Sequence, residues 1–323
     1  MGPKSRRIKK LPISSFTPDT NVHSSAAQSL PSSDSKSISR HGRVRSANRP
    51  VVSRKITQST ITHFHTLLKK QSSLKQSLAS TIENQRNDER VQAIQTELDS
   101  VEREMTALGG LNAYQIASTL GQSKERGGDS SKVLVRWLDE LGIKQEMVAQ
   151  SSKLRMLEIG ALMPDNYASC SKWIDNHPID LHSQHPDILE QDFLQRPLPA
   201  REQDAFDVVS CSLVLNFVSS PADRGKMLSL IHKQLKDLPN SFLFLVLPLP
   251  CLANSRYLSL STFQDLMRII GFTLEREQWK PGGKVGYWLW RKSAGELEGR
   301  DRWVRKTVVK DGPKMNNFAV VLP

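Results

Sequence analysis

MLEIGALMPDN, Met156 to Asn166, begins as a buried strand and stops at an acid and a glycine, Glu158 and Gly160. A nucleotide-binding loop opens this way, but the second and third glycines of such a loop are absent and Pro164 stands in their place. A pyrophosphate needs several close backbone amides at the start of a helix. A ligand without phosphate needs one glycine, whose missing Cβ lets the backbone come close. Taken alone the stretch decides little, but its missing glycines count against a phosphate-cradling loop and so against a dinucleotide.

From Leu154 onward, short apolar runs alternate with helical stretches. KLRMLEIG, HPIDLHS, DILEQDF, FDVVSCSLVLNFV and FLFLVLPLP read as strands, and ADRGKMLSLIHKQLKD and TFQDLMRIIG as helices. Near-continuous apolar strands separated by helices mean a parallel sheet covered on both faces. FTLEREQWK and VGYWLWRK, joined by PGGK, form a hairpin, and FAVVLP a last strand. The fold class is α/β, and a parallel sheet ending in an antiparallel hairpin is similar to the class I methyltransferase (Rossmann-like) arrangement. Which late strand takes the antiparallel slot is left open.

Ligands of such sheets sit at the carboxyl ends of the strands. Asp180 ends the second strand twenty residues past Gly160, a spacing at which an acid accepts from ribose hydroxyls. Asp192 and Phe193 end the third, where the carboxylate can meet an adenine amino group and the ring can lie against the base. The fourth ends in SCSLVLNFV, where Ser212 comes within reach of the ligand and Asn216 and Phe217 line the acceptor side. Glu158 either holds the loop or meets an ammonium group. Each has a structural alternative: Gly160 as a turn residue, Asp180 as a cap, Phe193 as core. The candidate cofactor-binding set is Gly160, Asp180, Asp192, Phe193 and Ser212, and no catalytic residue is assigned.

Ahead of this domain, placed at 151–323, lies a helical segment, 57–150. Val91, Ile94, Leu98, Val101, Met105 and Leu108 form one helical stripe closed by Gly109-Gly110. Ile61, Phe64, Leu67, Leu68, Leu74, Leu78 and Ile82 mark a partner helix, so an antiparallel pair is expected, with a coiled-coil dimer as the rival. Asp129 is a candidate N-cap for a helix from Ser130 to Leu141.

Residues 1–56 hold twelve Lys or Arg against two Asp, which is +10 of the net +12. With few large apolar groups this stretch is expected to be a disordered basic tail, an arm for nucleic acid or a nuclear address through KSRRIKK at Lys4–Lys10. A solvated tail without a specific partner is the alternative. Cys170, Cys211 and Cys251 are too far apart for a disulfide framework and argue for a reducing compartment. The histidines show no zinc spacing, so no metal is expected. The longest apolar run, FLFLVLPLPCLA, is twelve residues with two prolines, too short and broken to cross a bilayer, and no signal peptide is visible. A soluble intracellular protein is expected.

GGLNAYQIASTLGQ, RGGDSSK, LEIGAL, IDL, QDFLQRPLP, FDVVSCSLVLNFV and LPLPCLANSRY together resemble the fungal nucleolar 25S rRNA adenine-N1 methyltransferases, over about residues 105–292. The resemblance implies a class I fold and S-adenosylmethionine as cofactor. It implies methylation of one adenine N1 in large-subunit rRNA or a pre-ribosome, and a nucleolar location. It carries cofactor positions onto Gly160 and Asp180, and the family shares the missing glycines. An animal relative resembles an S-adenosylmethionine sensor that signals through a protein partner, and a non-catalytic ribosome-assembly scaffold is a further alternative. The basic tail sets this chain apart from a sensor.

Overall fold

The computed structural model describes residues 54–83, 88–110, 113, 130–296 and 298–323. Most of the basic tail, the Lys4–Lys10 run, Asp129 and more than half of each of the GGLNAYQIASTLGQ and RGGDSSK motifs lie outside them.

Two helices come first, α1 (Arg54–Glu83) and α2 (Asp88–Ala107), and Gly109 and Gly110, both at positive φ, end the second. Phe64 and Leu67 on one and Leu98 and Val101 on the other are buried. His63 meets Glu104 at 2.9 Å and Lys70 meets Glu97 at 2.8 Å, so positions that rise along α1 fall along α2. The pair is antiparallel, as the two stripes predict. Ser219 of the sheet domain donates to Ser72 Oγ at 2.8 Å and docks α1 on the body.

Two short helices, α3 (Ser131–Glu140) and α4 (Ile143–Ala149), lead into the sheet, and α4 has no counterpart in the sequence reading. The strands are β1 (Leu154–Ile159), β2 (Ile174–Asp180), β3 (Leu189–Glu190), β4 (Val208–Ser212), β5 (Phe242–Pro248), β6 (Phe272–Gln278) and β7 (Val285–Lys292). Their order across the sheet is β3-β2-β1-β4-β5-β7-β6, parallel through β5. β7 runs antiparallel between β5 and β6. This settles the open slot: the second arm of the hairpin enters the sheet and the first becomes its edge.

β5 shows why the strands are apolar throughout. Leu243, Leu245 and Leu247 pack with Met227, Leu228 and Ile231 of α5 (Pro221–Gln234) and Phe263, Leu266 and Met267 of α7 (Leu260–Ile270). Phe242, Phe244 and Val246 pack on the other face with Leu134, Trp137 and Leu138 of α3. Alternate side chains point to opposite faces, and both faces are covered. A four-residue helix, α6 (Pro250–Ala253), turns the chain after β5.

Three expectations are corrected. The third strand stops at Glu190, because Asp192 caps a 3-10 turn over Phe193–Gln195. The fourth stops at Ser212, where Leu213 takes a positive φ of 57° and turns the chain out of the sheet. FAVVLP is not a strand. Its Phe318, Ala319, Val320 and Leu322 are buried, but its backbone bonds reach single residues on separate elements, Pro221 and Trp303.

The link from β1 to β2 holds one 3-10 turn, Ala168–Cys170, and no α-helix. Pro164, Asp165 and Asn166 are poor helix residues. Tyr167 and Trp173, 3% and 4% exposed, fill the space on the sheet that a crossover helix would cover. No helix among the described residues is long and apolar enough to cross a membrane, and no group of three or more His, Cys, Asp or Glu among them is placed to hold a metal ion.

Candidate functional site

β1, β2 and β4 lie side by side, so their carboxyl ends meet. Gly160 follows β1 at φ 75°, a conformation that carries a steric cost for residues with a Cβ. A Cβ built there would lie 2.3 Å from Val214 Cγ2 on the turn after β4. Backbone and turn therefore approach more closely than any other residue allows. The amides of Gly160 and Ala161 both donate to the Ile179 carbonyl, at 2.8 and 3.0 Å. They are committed to the sheet, and no helix N-terminus follows them. A phosphate finds no cradle here, which counts against a dinucleotide.

Glu158, 8% exposed, takes the first of its two sequence roles. Its Oε1 accepts from Asn166 Nδ2 at 2.7 Å and its Oε2 from Asn176 Nδ2 at 2.8 Å. The carboxylate ties the loop after β1 to β2. Neither asparagine carried a signal in the sequence, because their return to Glu158 depends on the helix-free link.

Asp180 ends β2 as expected, half-buried, and accepts from the His182 amide at 2.9 Å. Burial raises its carboxyl above the ordinary range, and the His182 amide and imidazole oppose the shift. A buried carboxylate gains most from added hydrogen-bond donors, which a pair of ribose hydroxyls would supply.

Asp192 and Phe193 stand beyond the end of β3. The Asp192 carboxylate accepts from the Leu194 amide at 2.9 Å and Gln195 Nε2 at 3.0 Å. Phe193, 4% exposed, belongs to the core shared with Ile179 and Leu215. Both residues thus carry structural work at the positions read as adenine contacts.

Ser212 closes β4, and its Oγ lies 2.8 Å from Ser130 Oγ at the start of α3. This joins the segment before the sheet to the strand end, and sequence separation hid it. The Ser130 hydroxyl makes no cap bond to its own helix. Past the strained Leu213, Phe217 N donates to Val214 O at 2.8 Å and closes a tight turn. That turn presents Asn216, 8% exposed, whose Oδ1 has no hydrogen-bond partner.

The next residues are locked by Arg224 of α5, 3% exposed. It donates to Val218 O at 2.8 Å, Ser219 O at 3.0 Å and Ala319 O at 2.6 Å, with its guanidinium 4.6 Å from the Phe318 ring centre. Burial lowers its pKa to about 10, so it stays charged at neutral pH. Lys69 of α1, also lowered by burial, feels both Arg224 and Cys251.

Seven strands in this order, with the one antiparallel strand beside the fifth and a glycine and acid at the first two carboxyl ends, define a class I methyltransferase fold. The family described as "25S rRNA (adenine(2142)-N(1))-methyltransferase, Bmt2" matches residues 99–320, and the chain belongs to it. It is 35% identical over 266 residues to the 25S rRNA (adenine(2142)-N(1))-methyltransferase of Saccharomyces cerevisiae, covering 82% of this chain and 72% of that protein. It is 36% identical over 264 residues to the 25S rRNA adenine-N(1) methyltransferase of Schizosaccharomyces pombe, covering 80% and 89%. Magnesium protoporphyrin IX methyltransferase (ChlM) from Synechocystis PCC 6803, solved with bound SAM, aligns with 51% of this chain and 78% of its own at 16% identity and a TM-score of 0.36.

Proposed function

We propose that this chain transfers the methyl group of S-adenosylmethionine to N1 of one adenine in large-subunit rRNA. The observation that carries the reading is the family match over residues 99–320, which spans every strand-end residue described above. The helix-free link after β1 supports this donor over a dinucleotide.

S-adenosylmethionine supplies a methyl group made electrophilic by its sulfonium. In this reading Asp180 accepts from the ribose hydroxyls, Gly160 gives the close backbone approach, and Asp192 meets the adenine edge near Phe193. Ser212 holds the strand end against α3. The target N1 brings its own lone pair: its bond to the methyl carbon forms as the carbon–sulfur bond breaks, and no proton has to leave. Catalysis then rests on alignment and exclusion of water rather than on a base. Asn216 Oδ1, buried and unpartnered, suits the exocyclic amino group of the target adenine. That amino group becomes more acidic as N1 turns cationic, so the bond strengthens in the transition state. The adenine must leave its helix, because the reacting edge is its pairing edge.

We also propose that the chain works in the nucleolus and that residues 1–56 direct it there, a reading supported by their +10 charge. The test of function is incubation of the purified protein with labelled donor and 25S rRNA, followed by reverse-transcription mapping of N1 methylation. A single methylated adenine, lost in Gly160→Arg, is the expected result. Donor binding without transfer to rRNA would favour a sensor. Failure to bind the donor would leave an assembly scaffold.

A further inference from the structure

We infer that the strap of chain from Gly299 to Lys314 is a phosphate-backbone docking surface for the RNA substrate, set beside the acceptor turn. The inference rests on the rRNA reading above. The strap carries Arg300, Arg302, Arg305, Lys306, Lys310 and Lys314 against Asp301 and Asp311, a net +4. Residues 57–323 total +2, so without the strap this body would be acidic. Its net positive charge lies in this one short segment.

The strap's charges are also left open. Arg302, Arg305, Lys306, Lys310 and Lys314 are exposed, and none forms an ion pair with an acid among the described residues. Asp311, the strap's second acid, pairs with Arg256 outside it, at 3.1 Å. Apolar Val304 and Val308 are exposed between the cations, 52% and 58%. An ordinary solvated face balances both signs of charge; here six cations stand against two acids.

The strap is held in place. Val309 and Lys310 amides donate to Arg256 O at 2.8 and 3.1 Å, and Asn254 Nδ2 donates to Lys314 O at 3.0 Å. Just beyond it, Asn316 Nδ2 donates to Pro250 O at 2.6 Å and to Asn254 O at 2.9 Å. Trp303, 6% exposed, roots the strap in the core, and its carbonyl accepts from the Leu322 amide at 2.8 Å. Lys306 Nζ lies 5.6 Å from the Tyr257 ring centre and the Arg302 guanidinium 5.4 Å from that of Trp303. Tyr257, Arg302, Trp303, Arg305, Lys306 and Thr307 line one shallow depression. Cations already in position lose less freedom when a phosphate arrives.

Its anchors fix its location. Pro250 and Asn254 directly follow the carboxyl end of β5, next to β4. Arg224 ties Ala319 of the same terminal segment to Val218 and Ser219, two and three residues past Asn216. The positive strap therefore flanks the turn read as the base-holding side. Arg302, Arg305 and Lys306 line one depression with Ala319, the residue that Arg224 ties to this turn, so an RNA strand held at the turn would run toward them.

The experiment measures binding of a fluorescein-labelled 25S rRNA fragment to the full chain and to Arg302→Gln/Arg305→Gln/Lys306→Gln, from 50 to 300 mM KCl. Each lost phosphate contact on a single strand flattens the slope of log K against log salt by about 0.7. The triple variant is expected to flatten it by about 2 and to weaken Kd on the order of a hundredfold at 0.1 M salt. Donor affinity and melting temperature should stay unchanged. Lys310→Gln/Lys314→Gln, at the far end of the strap, should flatten the slope by about 1.4. Unchanged slopes and affinities in both variants overturn the inference. If the parent chain binds the fragment, the variants weaken that binding, and no methyl group is transferred, the strap stands and the methyltransferase reading falls.

Discussion

At Gly160 two separate demands coincide, a left-handed φ of 75° and the 2.3 Å approach of Val214 Cγ2 to the place a Cβ would take. They can be separated. Gly160→Ala should lose about 1–2 kcal/mol from the backbone alone and more from the clash. Adding Val214→Ala should recover the clash part and leave the backbone part, which a double-mutant cycle by urea unfolding would measure. Equal losses in both backgrounds would mean the valine moves aside freely. Asp180 gives the second prediction at this level. Burial raises its folded carboxyl above the unfolded value, so ionisation costs the fold. The stability it contributes is fully present below the ordinary carboxylate range and is lost as pH rises through the raised value. Asp180→Asn should therefore melt no lower than the parent at pH 7, while its donor affinity falls roughly ten- to a hundredfold. A variant that both melts lower and binds normally would remove Asp180 from the site. Gly160 and Asp180 could be found in the sequence because strand ends and spacing mark them. Asn166, Asn176, Val214 and Ser130 could not, since each meets the site through the way intervening chain folds back.

Among the elements, the helix-free link from β1 to β2 and the terminal segment 316–323 depart most from what alternating apolar runs suggest. FAVVLP has the composition of a strand, but the antiparallel slot beside β5 is filled by β7, whose aromatic residues bury on both faces. The segment instead lies on α5, where a Cβ on Gly225 would meet Val321 O at 1.8 Å. Arg224 joins this segment to the turn after β4 by three carbonyls. Arg224→Ala orphans them and should cost about 3 kcal/mol or more, read by urea unfolding. Arg224→Lys keeps the charge but lacks the planar fork and should recover only part of this. Full recovery by lysine would show that charge alone matters. Apolar runs and turn residues located β1, β5, β6 and β7 closely, and HPIDLHS fell three residues late of β2. They could not rank β6 against β7, since both alternate, and they overextended β3 and β4, whose ends are set by a capping aspartate and a strained leucine rather than by hydrophobicity.

For the molecule as a whole, charge divides the labour. The sheet domain without its strap is slightly acidic, while the tail and the strap are strongly basic. Deleting residues 1–53 should leave donor affinity and melting temperature unchanged and flatten the salt dependence of rRNA binding, measured by anisotropy. In cells the same deletion should disperse the protein from the nucleolus. A truncated chain that binds RNA with the parent's salt dependence would restrict the tail to addressing. The α/β class and the antiparallel helical pair were both legible from composition and periodicity. The position of the strap was not, because its meaning comes from Asn254, Arg256 and Asn316 holding it beside the strand ends.

The central place of β7 also governs how the chain is made. During synthesis, β5 leaves the ribosome with one edge unpaired, and its six apolar residues Phe242–Leu247 must wait for Val285–Lys292 to emerge. For that interval of some forty residues the nascent protein displays a sticky strand edge, the kind of surface that pairs with strangers. A chain released in this window would keep that edge open, so the product of an interrupted synthesis is expected to aggregate.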